Sequence, residues 1–370
     1  MTEPNDGAAA APPSAEDTTP KSTPHSNRTG WDGKLRLNSE KQAVLANPEA
    51  LEDSDYEDED APPVDEIAAD EDLLDEEDPD TEEIDAQHSR IGSIPSLRLE
   101  RFKNLRRLCL RQNSIQKIEL PPSLAPQLTE LELYDNLIKH LEGLDDCTSL
   151  TSLDLSYNKL KHIKNLSTLT NLDHIYFVQN RISRIENLEA LTNLTYLELG
   201  ANRIREIEGL STLTNLTSLW LGQNRITELK NVSTLTNLRS LSIQANRLTS
   251  LAGIETLPQL TELYVSDNKI PSLAPLAQNT QLEILDFQSN PIGSLEGLEA
   301  LAKLENVWAS NCQVEDFREI ERALRDKEKL EEVYFEGNPV QKREPVLYRN
   351  KLRLALPQVG KIDASYVKAT

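Results

Sequence analysis

Leu150-Thr-Ser-Leu153-Asp-Leu155-Ser-Tyr-Asn158-Lys-Leu160 is the stretch that decides the fold of this chain. Its frame, Leu-x-x-Leu-x-Leu-x-x-Asn-x-Leu, recurs around Asn113, Asn136, Asn180, Asn202, Asn224, Asn246, Asn268 and Asn290, then with Cys312 in the Asn slot, and finally around Asn338. From Asn136 to Cys312 every step is 22 residues. An eroded earlier copy ends in Ala86-Gln-His-Ser89-Arg-Ile91, which brings the number of units to about twelve. A unit this short cannot bury its own apolar side, so identical units must stack and share one continuous core.

The letters of one unit each solve a packing problem. Two leucines such as Leu197 and Leu199 point inward from a short strand, and Asn202 turns the chain, its amide able to bridge backbone groups of adjacent coils. Five positions after the Asn an apolar residue returns (Ile163, Ile185, Ile207), followed two later by Asn165, Asn187 or Gly209, the residue types that best tolerate positive φ. Too few residues then remain before the next strand for a long helix. The expected fold class is therefore an α/β repeat solenoid, a leucine-rich-repeat horseshoe of about twelve 22-residue coils with a parallel concave sheet and a convex side of 3₁₀ or irregular turns. The last step, Cys312 to Asn338, is 26 residues, and Phe317, Ile320 and Leu324 within Glu315–Leu330 have helical spacing, so one true helix is expected there. Tyr348, Leu352 and Leu354 continue a helical pattern after the repeats end, which reads as a C-terminal cap over residues 339–370. Ile91–Leu110 must seal the other end.

Charge divides the chain differently. The formal net charge is −23, yet residues 51–85 hold 20 acids and no base, whereas residues 86–370 carry 35 acids against 34 bases. Residues 86–370 are thus nearly neutral; the repeat region is read as residues 81–338, and residues 1–80 as a disordered acidic leader too poor in apolar residues to offset its ordering entropy. Trp31 is the one tryptophan of that leader and reads as a chance residue. Ser54, set among acids, suits an acid-directed kinase such as casein kinase II, although runs of this kind are usually solvating tails. An acidic balance of this origin argues against general nucleic-acid binding, which needs a basic field. No window of 18 apolar residues exists and the first residues lack a basic end with an apolar stretch, so neither membrane association nor a signal peptide is expected. Cys109, Cys147 and Cys312 are odd in number and far apart, as in an intracellular protein with reduced thiols.

Candidate chemistry lies on the concave strands, at the residues six, four and two places before each Asn slot. The fourth-back row runs Cys109, Glu132, Asp154, Tyr176, Glu198, Trp220, Ser242, Tyr264, Asp286, Trp308, Tyr334 and contains no Lys or Arg. Across all 33 concave slots there are eight carboxylates and seven aromatics against two bases, Arg107 and Arg111, in a chain with only 17 Phe, Tyr and Trp. Rings interleaved with carboxylates suit an interface core and predict a partner rich in Lys and Arg. An arc about 50 Å long would accept a globular protein rather than a short peptide. Cross-strand packing of the rings is the competing account of the same pattern. A second row, Lys159, Arg181, Arg203, Arg225, Arg247 and Lys269, follows the Asn slots. It could hold phosphates, but Glu186, Glu206, Glu208 and Glu228 flank it and a compensated, solvated ladder is the favoured account. No GxxxxGK[ST], GxGxxG or HExxH occurs, His174 is the one concave histidine, and the carboxylates form no compact ligand cluster, so no enzyme activity, cofactor or metal is expected.

The strict 22-residue unit, exemplified by the stretch Leu194-Thr-Tyr-Leu-Glu-Leu-Gly-Ala-Asn-Arg-Ile-Arg-Glu-Ile-Glu-Gly-Leu, together with the acidic leader, Leu108-Cys-Leu-Arg-Gln-Asn113 and the terminal Asn338-Pro-Val-Gln-Lys-Arg-Glu-Pro-Val-Leu-Tyr-Arg, resembles the leucine-rich-repeat regulatory subunits of protein phosphatase type 1, the family often called regulatory subunit 7. The resemblance covers residues 82–370. It implies a non-catalytic subunit that grips the phosphatase catalytic subunit with its concave face, works in nucleus and cytoplasm in chromosome segregation and phosphatase maturation, and can enter a ternary complex with phosphatase inhibitor 3. Asp154, Tyr176, Glu198, Trp220, Asp286, Trp308 and Tyr334 match the family's contact positions; Glu132 and Tyr264 join them from the concave row. Asn306 departs from the acid usual there. No Arg/Lys-Val/Ile-x-Phe docking motif is present, so the solenoid itself must bind. Two rivals remain: an acidic nuclear leucine-rich protein that binds histones or other basic proteins through its leader, and nucleic-acid binding through the basic row.

Overall fold

The computed structural model describes residues 73–367 and, within the leader, two short strands, β1 (Arg36–Leu37) and β2 (Ala43–Val44), which pair antiparallel inside a unit spanning Met1–Val64. Trp31, Ser54 and most of the run expected to be disordered lie outside the described residues.

The second unit carries one fourteen-stranded sheet whose strands follow chain order. They are β3 (Glu83–Asp85), β4 (Arg107–Cys109), β5 (Glu130–Glu132), β6 (Ser152–Asp154), β7 (His174–Tyr176), β8 (Tyr196–Glu198), β9 (Ser218–Trp220), β10 (Ser240–Ser242), β11 (Glu262–Tyr264), β12 (Ile284–Asp286), β13 (Asn306–Trp308), β14 (Glu332–Tyr334), β15 (Lys361–Ile362) and β16 (Ser365–Tyr366). Neighbours from β3 to β15 pair parallel, and β15 with β16 antiparallel. β3 through β14 supply the twelve expected coils. In most of these strands the central residue is fully buried and its neighbours half-buried, the alternation that a pleat imposes.

The ladder asparagines act as the repeat predicts. Asn202 Nδ2 donates to the carbonyls of Phe177 (2.8 Å), Leu199 (3.1 Å) and Gly200 (3.1 Å), while its Oδ1 accepts from the Ile182 amide at 3.0 Å. One buried amide thus ties its own turn to the preceding coil. The Gly/Asn slot likewise behaves as read: Asn165, Asn187, Asn231, Gly209 and Gly253 all have positive φ. A Cβ at Gly209 would stand 2.7 Å from the Ile185 carbonyl, whereas in the next coil Asn231 Nδ2 donates to the corresponding Ile207 carbonyl at 2.7 Å. The same close approach is solved by omitting the side chain or by hydrogen-bonding through it. Convex segments are short turns, some of them 3₁₀ as at Ile254–Thr256 and Ala274–Gln278.

The one internal helix is α1 (Phe317–Leu324), capped by Asp316, whose carboxylate accepts from the Arg318 amide at 2.9 Å. Beyond the repeats come α2 (Pro339–Arg343) and α3 (Tyr348–Ala355). Tyr348 and Leu352 are buried as expected, but Leu354 is 75% exposed. Two residues advance a helix by about 200°, so Leu354 faces away from Leu352 and Ala355 takes the inner place. At the other end the fold begins earlier than residue 81. Leu74 is buried in the core and Asp75 pairs with Arg101 at 2.6 Å; the isolated Leu73-Leu74 pair among acids carries no periodic signal. Ile94, Leu97, Leu99 and Phe102 complete the seal.

Asn202→Ala should lower unfolding free energy by about 2–3 kcal/mol in urea titration, since it strands buried backbone groups in two coils. Asn193→Ala, which removes an exposed amide bonded to the Thr170 carbonyl at 2.9 Å, should cost under about 1 kcal/mol.

Candidate functional site

Strand register turns the fourth-back residues into one physical row. Cys109 pairs with Glu132, Glu132 with Asp154, and the pairing continues through Tyr176, Glu198, Trp220, Ser242, Tyr264, Asp286 and Trp308 to Tyr334. All nine candidate residues therefore lie on adjacent strands along a line about 45 Å long. Trp220 and Trp308 are half-buried on this face rather than enclosed in the core.

The rings on the row touch one another. Tyr176 meets Tyr196 at 5.1 Å between centroids, Tyr196 meets Trp220 at 6.4 Å, Trp220 meets Tyr264 at 6.0 Å, Tyr264 meets Trp308 at 6.2 Å, and Trp308 meets Tyr334 edge-on at 6.4 Å. Trp220 and Tyr264 stand two strands apart, about 9.6 Å, so they close that gap by leaning over the strand between them. Ser242 on that strand is 1% exposed, and Asp286, between Tyr264 and Trp308, is 8% exposed. Cross-strand packing and an outward apolar surface are thus properties of the same rings. The Nε1 atoms of Trp220 and Trp308 are buried with no hydrogen-bond partner among the described residues, a cost of about 1–3 kcal/mol each.

The carboxylates fall into two groups. Glu132 is already engaged: Arg107 Nη2 donates to it at 2.9 Å and Arg111 Nη1 at 3.5 Å. At the far end Glu332 holds Lys361 at 2.6 Å, delivered by β15 of the cap. Asp154, Glu198 and Asp286 form no ion pair among the described residues. Asp154 accepts from the Ser156 amide at 2.9 Å, Glu198 from the Tyr196 hydroxyl at 3.2 Å, and Asp286 from the Gln288 amide at 3.1 Å. Burial pushes the Asp154 carboxyl above its ordinary value, partly offset by Ser156. Burial does the same to Glu198, with the charge of Asp154 adding to it.

Two contributors come from the sixth-back slot. Tyr196 links the Tyr176 and Trp220 rings, and His174 stacks on Tyr196 at 5.6 Å. The ring count over the concave slots included Tyr196, but nothing in a single row signals that a neighbouring slot leans into it. Among the described residues no group of three or more His, Cys, Asp or Glu is placed to hold a metal ion.

A carboxyl with a raised folded-state pKa keeps its proton more tightly when folded, so it favours folding below its ordinary range near pH ~4 and loses that contribution as pH rises through the raised value. At neutral pH, ionised Asp154 and Glu198 therefore weigh against the fold. Asp154→Asn and Glu198→Gln should each raise the melting temperature at neutral pH by a few degrees, with the gain shrinking as the melt is repeated toward acid pH.

Residues 151–254 match the family model described as leucine-rich repeat, and residues 236–278 and 258–303 match the model for two copies of that repeat. An internalin of Listeria monocytogenes shares the fold with a TM-score of 0.62 at 24% identity, covering 77% of this chain and 87% of that one. A leucine-rich-repeat protein of Leptospira interrogans gives 0.57 at 28% identity, over 70% and 73%. In sequence, a 61-residue stretch is 48% identical to protein phosphatase 1 regulatory subunit SDS22 of Saccharomyces cerevisiae, covering 16% of this chain and 18% of that one. The SDS22 protein of Schizosaccharomyces pombe is 67% identical over 312 residues, which is 84% of this chain and 93% of that one. On that likeness over nearly the whole solenoid, the chain belongs to the SDS22 family of leucine-rich-repeat protein phosphatase 1 regulatory subunits.

Proposed function

We propose that this chain is a non-catalytic scaffold that holds the catalytic subunit of type-1 serine/threonine protein phosphatase against its concave face. One observation carries the reading: a continuous file of half-buried rings alternates with Asp154, Glu198 and Asp286, carboxylates that form no ion pair among the described residues. Trp220, Tyr264, Trp308 and Tyr334 present rigid apolar area at low entropic cost, as interface anchors do. The unpaired carboxylates then select a surface of Lys and Arg and hasten its approach. Glu132 plays a different part. Held by Arg107 and Arg111, it is neutralised within the chain and shapes the N-terminal edge of the contact area rather than supplying free negative charge.

The 20 acids of residues 51–85 favour a second reading, in which basic proteins such as histones bind the leader. The two separate cleanly by deletion.

Trp220→Ala and Trp308→Ala should each weaken capture of the purified catalytic subunit by about 2 kcal/mol, roughly thirtyfold, with far-ultraviolet circular dichroism unchanged. Glu198→Gln should weaken it less and flatten its salt dependence. Removing residues 1–72 should leave capture intact. Loss of binding on that deletion, together with indifference to all three substitutions, would transfer the function to the leader.

A further inference from the structure

The row that follows the ladder asparagines was expected to be compensated by the flanking Glu186, Glu206, Glu208 and Glu228, and the structure sets three of them, Glu186, Glu208 and Glu228, against cations outside the row. Glu208 makes a two-point contact with Arg184 at 3.0 and 3.3 Å, Glu228 pairs with Lys230 at 2.7 Å, and Glu186 faces His162 at 3.2 Å. Three of the four glutamates counted against the row thus meet cations outside it, while Arg203 and Arg225 have interactions of their own, so the bases left without an ion pair stand toward the two ends of the row.

The row itself is a built feature of the backbone. Each base follows a residue held in the left-handed region (Tyr157, Gln179, Ala201, Gln223, Ala245 and Asp267, φ from 52° to 58°) and then the buried Asn. Each base also donates its own amide to the coil before it, as Arg181 does to Leu160 at 2.8 Å and Arg247 to Ile226 at 2.9 Å. Six cationic side chains thus leave identical backbone positions one coil apart, a single file about 24 Å long. Lys159, Arg181, Arg247 and Lys269 make no ion pair among the described residues. An open groove runs beside Lys159, Arg181, Arg203 and Arg225, and its rim is cut to a methyl group at Ala201.

We propose that Lys159, Arg181, Arg203, Arg225, Arg247 and Lys269 form a second docking edge, separate from the concave face, for an extended acidic segment of a partner protein. In an extended peptide, side chains on one side recur about every 6.8 Å, within easy reach of long Lys and Arg side chains set about 4.8 Å apart. Single-stranded nucleic acid fits less well. Its binding sites interleave stacking platforms with cations, and the groove offers one ring, Tyr157, at one end. The edge lies outside the ring-bearing row, so both surfaces can be occupied at once, and the inference stands whether or not the concave reading does.

The probe is a fluorescein-labelled peptide of alternating Glu and Ser, titrated with the full chain at low ionic strength and followed by anisotropy. The wild type should bind it, with affinity falling as salt is raised. Arg181→Glu combined with Arg247→Glu should weaken binding at least about tenfold. Trp308→Ala should leave it unchanged, and the double variant should still capture the phosphatase catalytic subunit. If the double reversal unsettles the melt, Arg181→Gln with Arg247→Gln tests the same loss at lower cost. An absent wild-type signal, an unaltered affinity in both double variants, a loss caused by Trp308→Ala, or tighter binding of oligothymidylate than of the peptide would each overturn the proposal.

Discussion

The side-chain amide of each ladder asparagine crosses from one coil to the next, and the spacing of every other feature follows from it. Asn158, Asn180, Asn202 and Asn224 repeat one pattern, donating to a carbonyl of the preceding coil at 2.8–3.0 Å and having their Oδ1 accept an amide from that coil. A buried amide with all its partners supplied tolerates little slippage, because a shift would leave several backbone groups unsatisfied at once. Where the amide is missing the pattern loosens. Cys312 offers only Sγ contacts, at 3.4 Å to the Phe287 carbonyl and 3.7 Å to that of Ser310, and the Ile292 amide turns to Asn290 in its own coil. That is also the coil whose return path lengthens to admit α1. Asn338 restores the link by donating to Ala309 at 2.7 Å.

A locked register means that side chains at equivalent slots have no freedom along the strands, so what they do to each other depends on size alone. Trp220 and Tyr264 can meet because Ser242 between them is small, and Tyr264 and Trp308 because Asp286 lies low beneath them. A larger residue at either position would force the rings apart and break the file into islands. Small residues in the row are as much part of the surface as the tryptophans.

The repeat letters made most of this legible. Leu197, Leu199, Asn202 and Gly209 each announce strand, turn and close approach, and counting four places back from each Asn recovers a row that the register makes literal. Three features escaped for one reason, that no periodic neighbour marks them. Leu74, with Leu73 beside it, stands among acids outside any repeat frame. Lys361 reaches Glu332 from a strand outside the repeat. The leaning of Tyr196 into the row is a property of rotamers, on which a repeat frame is silent. The neutralisation of Glu132 was within reach, since Arg107 and Arg111 occupy slots on the adjacent strand, yet their sum with Glu132 emerges only when coil-to-coil distances are known. The fate of Glu208 and Glu228 was similarly hidden, because helix-like or strand-like spacing rules do not describe an irregular convex edge.

The distribution of satisfied and unsatisfied groups separates stabilising parts of this molecule from those that weigh against it. Along the asparagine turns nearly every buried polar group finds a partner, and the leucines inside are almost wholly excluded from water. On the concave strands two indole N–H groups and the Ser310 hydroxyl are buried with no hydrogen-bond partner among the described residues, and two carboxyls are pushed upward by burial. Local costs of this kind persist where something other than stability selects them. The ladder can absorb them, since one coil's loss is spread over neighbours that each contribute a full set of inter-coil bonds. A repeat scaffold is for this reason a suitable carrier for a face that is poorer in the free chain than in a complex: cations and acceptor groups brought by a partner would meet the negative charge and the rings, and the register would present them as one surface without any rearrangement of the backbone.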